Sequence, residues 1–141
     1  MISYSKLNLL ALSANNFTGH IPKEYGSFRR LSYLDLSFNR ISGSVPNELG
    51  NLSTLNVLYL GSNLLTGPIP SSIANLTLLY DLNFSGNKLR GSIPAEFGKM
   101  ESLALLDLSN NYLSDGIPPA LFNAKKLSFI TLEQNFLTGK E

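Results

Sequence analysis

Apolar and polar positions alternate in short bursts along this chain, and the bursts recur at a fixed interval. In "LSYLDLS", residues 31–37, Leu34 and Leu36 alternate with Tyr33, Asp35 and Ser37. A period of two predicts a strand with one buried face. The same burst returns every 24 residues, opened by Leu7, Leu31, Leu55, Leu79, Leu103 and Leu127. Behind each opening residue come two more apolar positions: Leu10 and Leu12, Leu34 and Leu36, Leu58 and Leu60, Leu82 and Phe84, Leu106 and Leu108, Ile130 and Leu132. An Asn then follows in every copy: Asn15, Asn39, Asn63, Asn87, Asn111 and Asn135. Six copies without insertion or deletion define a repeat protein.

One such unit cannot bury its apolar side alone. Stacked copies can, each touching only its neighbours. Equivalent strands then pair in parallel at roughly 4.8 Å per repeat, so six repeats make an arc about 25–30 Å long. The other half of each unit carries apolar pairs such as Leu49 and Leu52, or Phe97 and Met100. Their spacing suits a short 3-10 or helical turn behind the strands. The Asn column stands where the chain turns off the ladder. A buried Asn amide both donates and accepts, so it is expected to satisfy loose backbone groups and link to the next coil. Gly19, Gly43, Gly67, Gly91 and Gly139 form another column, expected to need a backbone hostile to Cβ or a close approach between coils. Asp115 is its one departure and is read as a tolerated scaffold change in the coil where irregular geometry is most expected. Pro22, Pro46, Pro70, Pro94 and Pro118 follow and interrupt regular hydrogen bonding.

The skeleton L-x-x-L-x-L-x-x-N-x-L-x-G-x-I-P, with tails such as "GSVP", "GPIP" and "GSIP", resembles the plant-type leucine-rich repeat over nearly the whole chain. The resemblance implies an α/β solenoid, a right-handed superhelix with parallel β-strands on the concave face and 3-10 turns on the convex side. It also implies a non-catalytic module: the extracellular part of a receptor-like kinase or receptor-like protein, or a secreted inhibitor of a cell-wall hydrolase. The partner would be a protein or peptide, with a co-receptor as a candidate second partner. An ice-binding or purely structural solenoid ranks lower, because ice binding favours a flat, repetitive Thr or Asn array and the outward columns here are varied.

Met1 and Tyr4 match the positions of Leu49 and Leu52, one repeat before Leu7, and Glu141 falls just past the Gly139 slot. The expectation is one solenoid segment over residues 1–141, cut within a repeat at both ends. It would be a fragment of a larger protein or a short product of such a gene. The N-terminal stretch does not read as a signal peptide, and no run approaches the ~20 apolar residues of a membrane span.

Composition removes several chemistries. The chain has no cysteine, so disulfides, zinc–thiolate sites and thiol nucleophiles are excluded. A net charge of +1 gives no reason to expect nucleic acid or an anionic membrane as partner. His20 is the only histidine, with no second ligand or base recurring beside it. No phosphate loop is present, since the glycines are spread along the coils and not clustered. No cofactor, metal or catalytic residue is expected. Ser13, Ser37, Ser85 and Ser109 read as solvent-facing strand ends.

What remains is the outward strand surface. Its columns hold Asp35, Asp81, Asp107 and Glu133 and no Lys or Arg, while basic residues such as Lys23, Arg29, Arg40, Lys88, Arg90 and Lys125 fall on connections. With Tyr33, Tyr59, Tyr80, Asn83 and Phe129 beside them, an acidic and aromatic strip is expected, suited to a ligand with Lys, Arg or a free amine. Against this stands the wording "LDLS" at both Asp35 and Asp107, which is common in the plant repeat and leaves those two open as generic; Asp81 and Tyr80 carry more information. Four sequons, at Asn16, Asn51, Asn75 and Asn83, suit a secreted protein. A glycan on Asn83 would block part of the strip.

Overall fold

A computed structural model describes residues 6–140. The expectations placed on Met1, Tyr4 and Glu141 lie outside the described residues. Strands β1 (Leu9–Ala11), β2 (Tyr33–Asp35), β4 (Val57–Tyr59), β6 (Asp81–Asn83), β8 (Leu105–Asp107) and β10 (Phe129–Thr131) form one parallel sheet in chain order. Their register is the sequence period itself: Leu34 pairs with Leu58, Leu58 with Leu82, Leu82 with Leu106. Behind the sheet each coil makes a 3-10 turn, at Lys23–Ser27, Asn47–Asn51, Ser71–Asn75, Ala95–Lys99 and Pro119–Asn123. Each turn is entered by a proline in extended conformation, Pro22, Pro46, Pro70, Pro94 or Pro118. A fixed φ and a missing N–H suit that entry.

The core is one stack of layers. Leu31, Leu55, Leu79 and Leu103 are fully buried, as are Leu34, Leu58 and Leu82 and the 3-10 residues Leu49, Ile73, Phe97 and Leu121. At about 25 cal/mol per Å² of apolar surface, each fully buried Leu contributes roughly 1.5–3 kcal/mol.

A second, four-stranded parallel sheet was not legible in the alternation: β3 (Ser42–Ser44), β5 (Leu64–Gly67), β7 (Lys88–Gly91) and β9 (Tyr112–Leu113). Each strand follows a ladder Asn. Gly43, Gly67 and Gly91 of the repeat tail sit in these strands at positive φ, Gly19 and Gly139 take positive φ outside them, and Asp115 takes φ +65° in the same slot just after β9. Its strand, β9, has two residues where β5 and β7 have four.

The six Asn amides run as a ladder through the stack. Asn63 Nδ2 donates to Leu36, Leu60 and Gly61 carbonyls, and its Oδ1 accepts the Ile41 N–H. Asn87 and Asn111 repeat the pattern. The link runs to the preceding coil, not the following one. Asn39 reaches back to Leu12 and Phe17, and Asn135 to Leu108 and Leu113. The side chain of Asn15, at the exposed start, bonds only its own coil at Leu12 and Ser13.

Just before each ladder Asn is a second left-handed column: Ala14, Phe38, Ser62, Gly86, Asn110 and Gln134, all at φ between +54° and +66°. No residue type marks it. Five of the six carry a Cβ, at roughly 1–2 kcal/mol each. The coil-to-coil bonds hold the strain, as from Phe38 N–H to Gly61 O and from Ser62 N–H to Ser85 O.

Candidate ligand-binding face

The register sets two rows on the open face of the six-stranded sheet. One holds Leu9, Tyr33, Val57, Asp81, Leu105 and Phe129; the next holds Ala11, Asp35, Tyr59, Asn83, Asp107 and Thr131. A trough of about 630 Å³ runs along the face. It brings together Asp35, Tyr59, Asp81, Asn83, Asp107 and Phe129 with Phe38, Leu105 and Thr131. Tyr33, Tyr80 and Glu133 do not line it. Tyr33 sits beside it, packed edge-on against Tyr59 at 6.0 Å between ring centroids. Tyr80 stands exposed just before β6, and Glu133 exposed just beyond β10.

Three outward acids and amides have scaffold work. Asp35 Oδ1 accepts the Ser37 N–H at 2.9 Å and its hydroxyl at 2.5 Å. Asn83 Oδ1 does the same for Ser85, and Asp107 Oδ1 for Ser109. These caps take up backbone donors where the strand leaves the ladder. The serines are thus not the solvent-facing strand ends expected: Ser109 is buried, Ser37 and Ser85 half-buried. Asp35 is buried too, at 9% exposure. With coils roughly 4.8 Å apart, a short side chain is covered by its counterpart in the next coil. The same crowding half-buries Tyr33 and Tyr59, which were expected to be exposed; Tyr80 and Phe129 are exposed, at 46% and 66%.

The third coil breaks this row. Tyr59 and Gly61 stand where the second and fifth coils have Asp and Ser and the fourth has Asn and Ser. The Tyr59 hydroxyl instead donates sideways to Asp81 Oδ2 at 2.5 Å. Burial, and then the hydrogen bond and charge of Asp81, push the Tyr59 phenol well above its ordinary value of 10. Burial, followed by the charge of Asp35, also raises Tyr33. The lining of the trough contains no Lys or Arg. Sequence reasoning flagged Tyr59 as an aromatic but missed Gly61. The signal was available: both members of the cap change together in one coil.

Elsewhere His20 lies exposed on a connection, forming an isolated bridge to Ser42. A Cβ on Gly43 would fall 2.7 Å from its ring, so the imidazole packs over the next coil. Asn16, Asn51 and Asn75 are exposed, whereas Asn83 is half-buried with its amide oxygen engaged by Ser85. Among the described residues no group of three His, Cys, Asp or Glu could hold a metal, and no helix is long and apolar enough to cross a membrane.

Two leucine-rich repeat family models match the chain, over residues 29–89 and 102–124. No curated protein matches it in sequence. Among solved structures, the Arabidopsis receptor kinase HAESA, in complex with the peptide hormone IDA and the co-receptor SERK1, is similar with TM-score 0.93 and 34% identity over 97% of this chain. The leucine-rich repeat ectodomain of the receptor kinase SOBIR1 from Arabidopsis thaliana is similar with TM-score 0.85 and 30% identity, over 92% of this chain and 72% of that one. A plant ice-binding protein is similar with TM-score 0.87 and 34% identity over 94% of this chain and 43% of that one. The chain spans 23% of the HAESA chain. The chain belongs to the leucine-rich repeat family. Its sequence and fold match those of plant receptor-kinase ectodomains.

Proposed function

We propose that this solenoid is a non-catalytic recognition segment of a receptor-type ectodomain, and that its trough takes an extended, basic peptide or protein segment. The observation that carries this reading is the Tyr59–Asp81 pair in the middle of a trough lined by Asp35, Asp107, Phe38 and Phe129 and by no cation. Unlike charge meeting a desolvated carboxylate favours Lys or Arg on the ligand, and the aromatic rims supply apolar area. That HAESA is solved with a peptide hormone and a co-receptor supports an extracellular setting and the same class of partners. An ice-binding role is less well supported: the outward rows change from coil to coil, Tyr59 and Asp81 included, and form no regular Thr or Asn array.

Selection of a random peptide display library on the immobilised segment tests the reading. Enrichment of Lys- and Arg-containing peptides is expected, with affinity falling when Tyr80 and Asp81 are both replaced by Ala, and falling more at low salt. Enrichment of acidic peptides, or affinity unchanged in the double variant, would overturn it.

A further inference from the structure

The cap that coil three lacks leaves a backbone donor unpaired. In coils two, four and five the N–H of Ser37, Ser85 and Ser109 is taken by the side-chain oxygen two residues earlier. Tyr59 has no such oxygen in reach, because its hydroxyl goes to Asp81. The flanking N–H groups are paired, Leu60 to Asn83 O and Ser62 to Ser85 O, but the Gly61 N–H finds no acceptor among the described residues. The end coils also lack the cap, with Ala11 and Thr131 in the acceptor position. Gly61, however, is buried and lines the middle of the trough. An unpaired N–H on a buried residue is rare in folded proteins. Nor can a side chain at 61 cover it, since a Cβ there would press to 2.9 Å from Asn83 Oδ1 and 3.2 Å from Ser85 Oγ. Coil three therefore presents bare backbone to the ligand.

We infer that the Gly61 N–H is an anchor for a neutral carbonyl oxygen of the bound peptide, supplied by its backbone or by an Asn or Gln side chain. The oxygen takes the place that Asp or Asn Oδ1 fills in the neighbouring coils. It is neutral because Asp35, Asp81 and Asp107 line the same trough without a counter-cation, so a ligand carboxylate is repelled. Asp81 Oδ1 has no hydrogen bond among the described residues and suits an amide N–H of the same ligand. This inference rests on the trough binding a peptide, and the experiment separates the two.

Backbone amide NMR of the chain reads both. Without ligand, the Gly61 amide should exchange with solvent faster than those of Ser37, Ser85 and Ser109; equal protection would overturn the inference. Acetylated, amidated pentapeptides Lys-Ala-X-Ala-Lys, with X as Asn, Ala or Asp, are then titrated. A downfield shift of the Gly61 proton with Asn and Ala is expected, larger with Asn if the side chain is the source and equal if the backbone is. The Asp peptide should bind more weakly; tighter binding by it would overturn the neutral assignment. Shifts across the trough that spare Gly61 would overturn the anchor and leave the peptide reading standing. No shift anywhere would end both. Two variants isolate the donor: Tyr59→Ala and Tyr59→Asn both remove the ring, but only the second supplies an oxygen to cap Gly61. Tyr59→Asn should bind the Asn peptide roughly tenfold more weakly than Tyr59→Ala does, the equivalent of one lost hydrogen bond. Equal affinities would overturn the inference.

Discussion

The Tyr59 hydroxyl of one coil is hydrogen-bonded to the Asp81 carboxylate of the next, 22 residues on, across the middle of the trough. The bond ties together two outward residues that each occur once in their row. Burial of the ring, and after it this bond, hold the phenol protonated above its ordinary range. The unfolded chain releases that proton first as pH rises through about 10, so the pair's contribution is fully present below that pH and is lost progressively as pH climbs from there through the raised folded value. Urea midpoints at about pH 8 and about pH 11 should therefore differ more in the parent than in Tyr59→Phe. An unchanged alkaline loss in Tyr59→Phe would show that other groups cause it.

The Asn ladder should weigh unevenly along its length. Asn87 donates to the Leu60, Phe84 and Ser85 carbonyls and accepts the Leu65 N–H, all buried except the part-buried bond to Ser85. Asn87→Ala leaves those groups dry and unpaired, and should cost roughly 3 kcal/mol. Asn15 is exposed and its side chain bonds only its own coil, so Asn15→Ala should cost less than about 1 kcal/mol. Denaturant titration of both variants checks the contrast.

Gly98 lies where two 3-10 turns press closest. A Cβ on it would sit 1.9 Å from the Ala120 carbonyl oxygen. Gly98→Ala should destabilise by about 2–3 kcal/mol through overpacking. The same approach recurs one repeat apart at Gly26 and Gly50, where a Cβ would meet Glu48 O at 2.4 Å and Ser72 O at 2.5 Å; the slot at Ala74 is the one in this run that holds a Cβ. A melting temperature unchanged in Gly98→Ala would contradict the close approach.

Asp115 sits at φ +65° in the glycine column, exposed, away from the trough. Asp115→Gly should be neutral or stabilising by up to about 1 kcal/mol, with peptide binding unaltered. Asp115→Val, β-branched at positive φ, should lose roughly 1–2 kcal/mol. A large loss in Asp115→Gly would instead point to a role for the carboxylate.

The sequons should divide by exposure. In a chain made through a eukaryotic secretory pathway, glycopeptide mass spectrometry should find sugar at the exposed Asn16, and at Asn51 and Asn75 at the ends of 3-10 turns. Asn83 should be bare, because its amide is engaged in the Ser85 cap. A modified Asn83 would mean that the cap opens before or during folding.

The frame was written in the sequence because a period of 24 leaves little freedom. Leu34 and Leu36 must face inward, Asn39 must stand where the strand ends, and Gly43 must take the slot that Cβ resists. Each of these needs a residue type, so each shows. The left-handed column at Phe38, Ser62 and Asn110 needs only backbone bonds to the next coil, accepts almost any residue and so leaves no trace in composition. The outward surface is intermediate. The sequence named Tyr59, Asp81 and Phe129 as facing out, but only the stacked coils decide which outward groups are free. Asp35 and Asp107 are held by serines in their own coils, Asp81 is bonded by Tyr59 from the coil before, and Gly61 is left with an unpaired N–H. That division depends on distances between residues a full repeat apart, which the order of residues along the chain does not state.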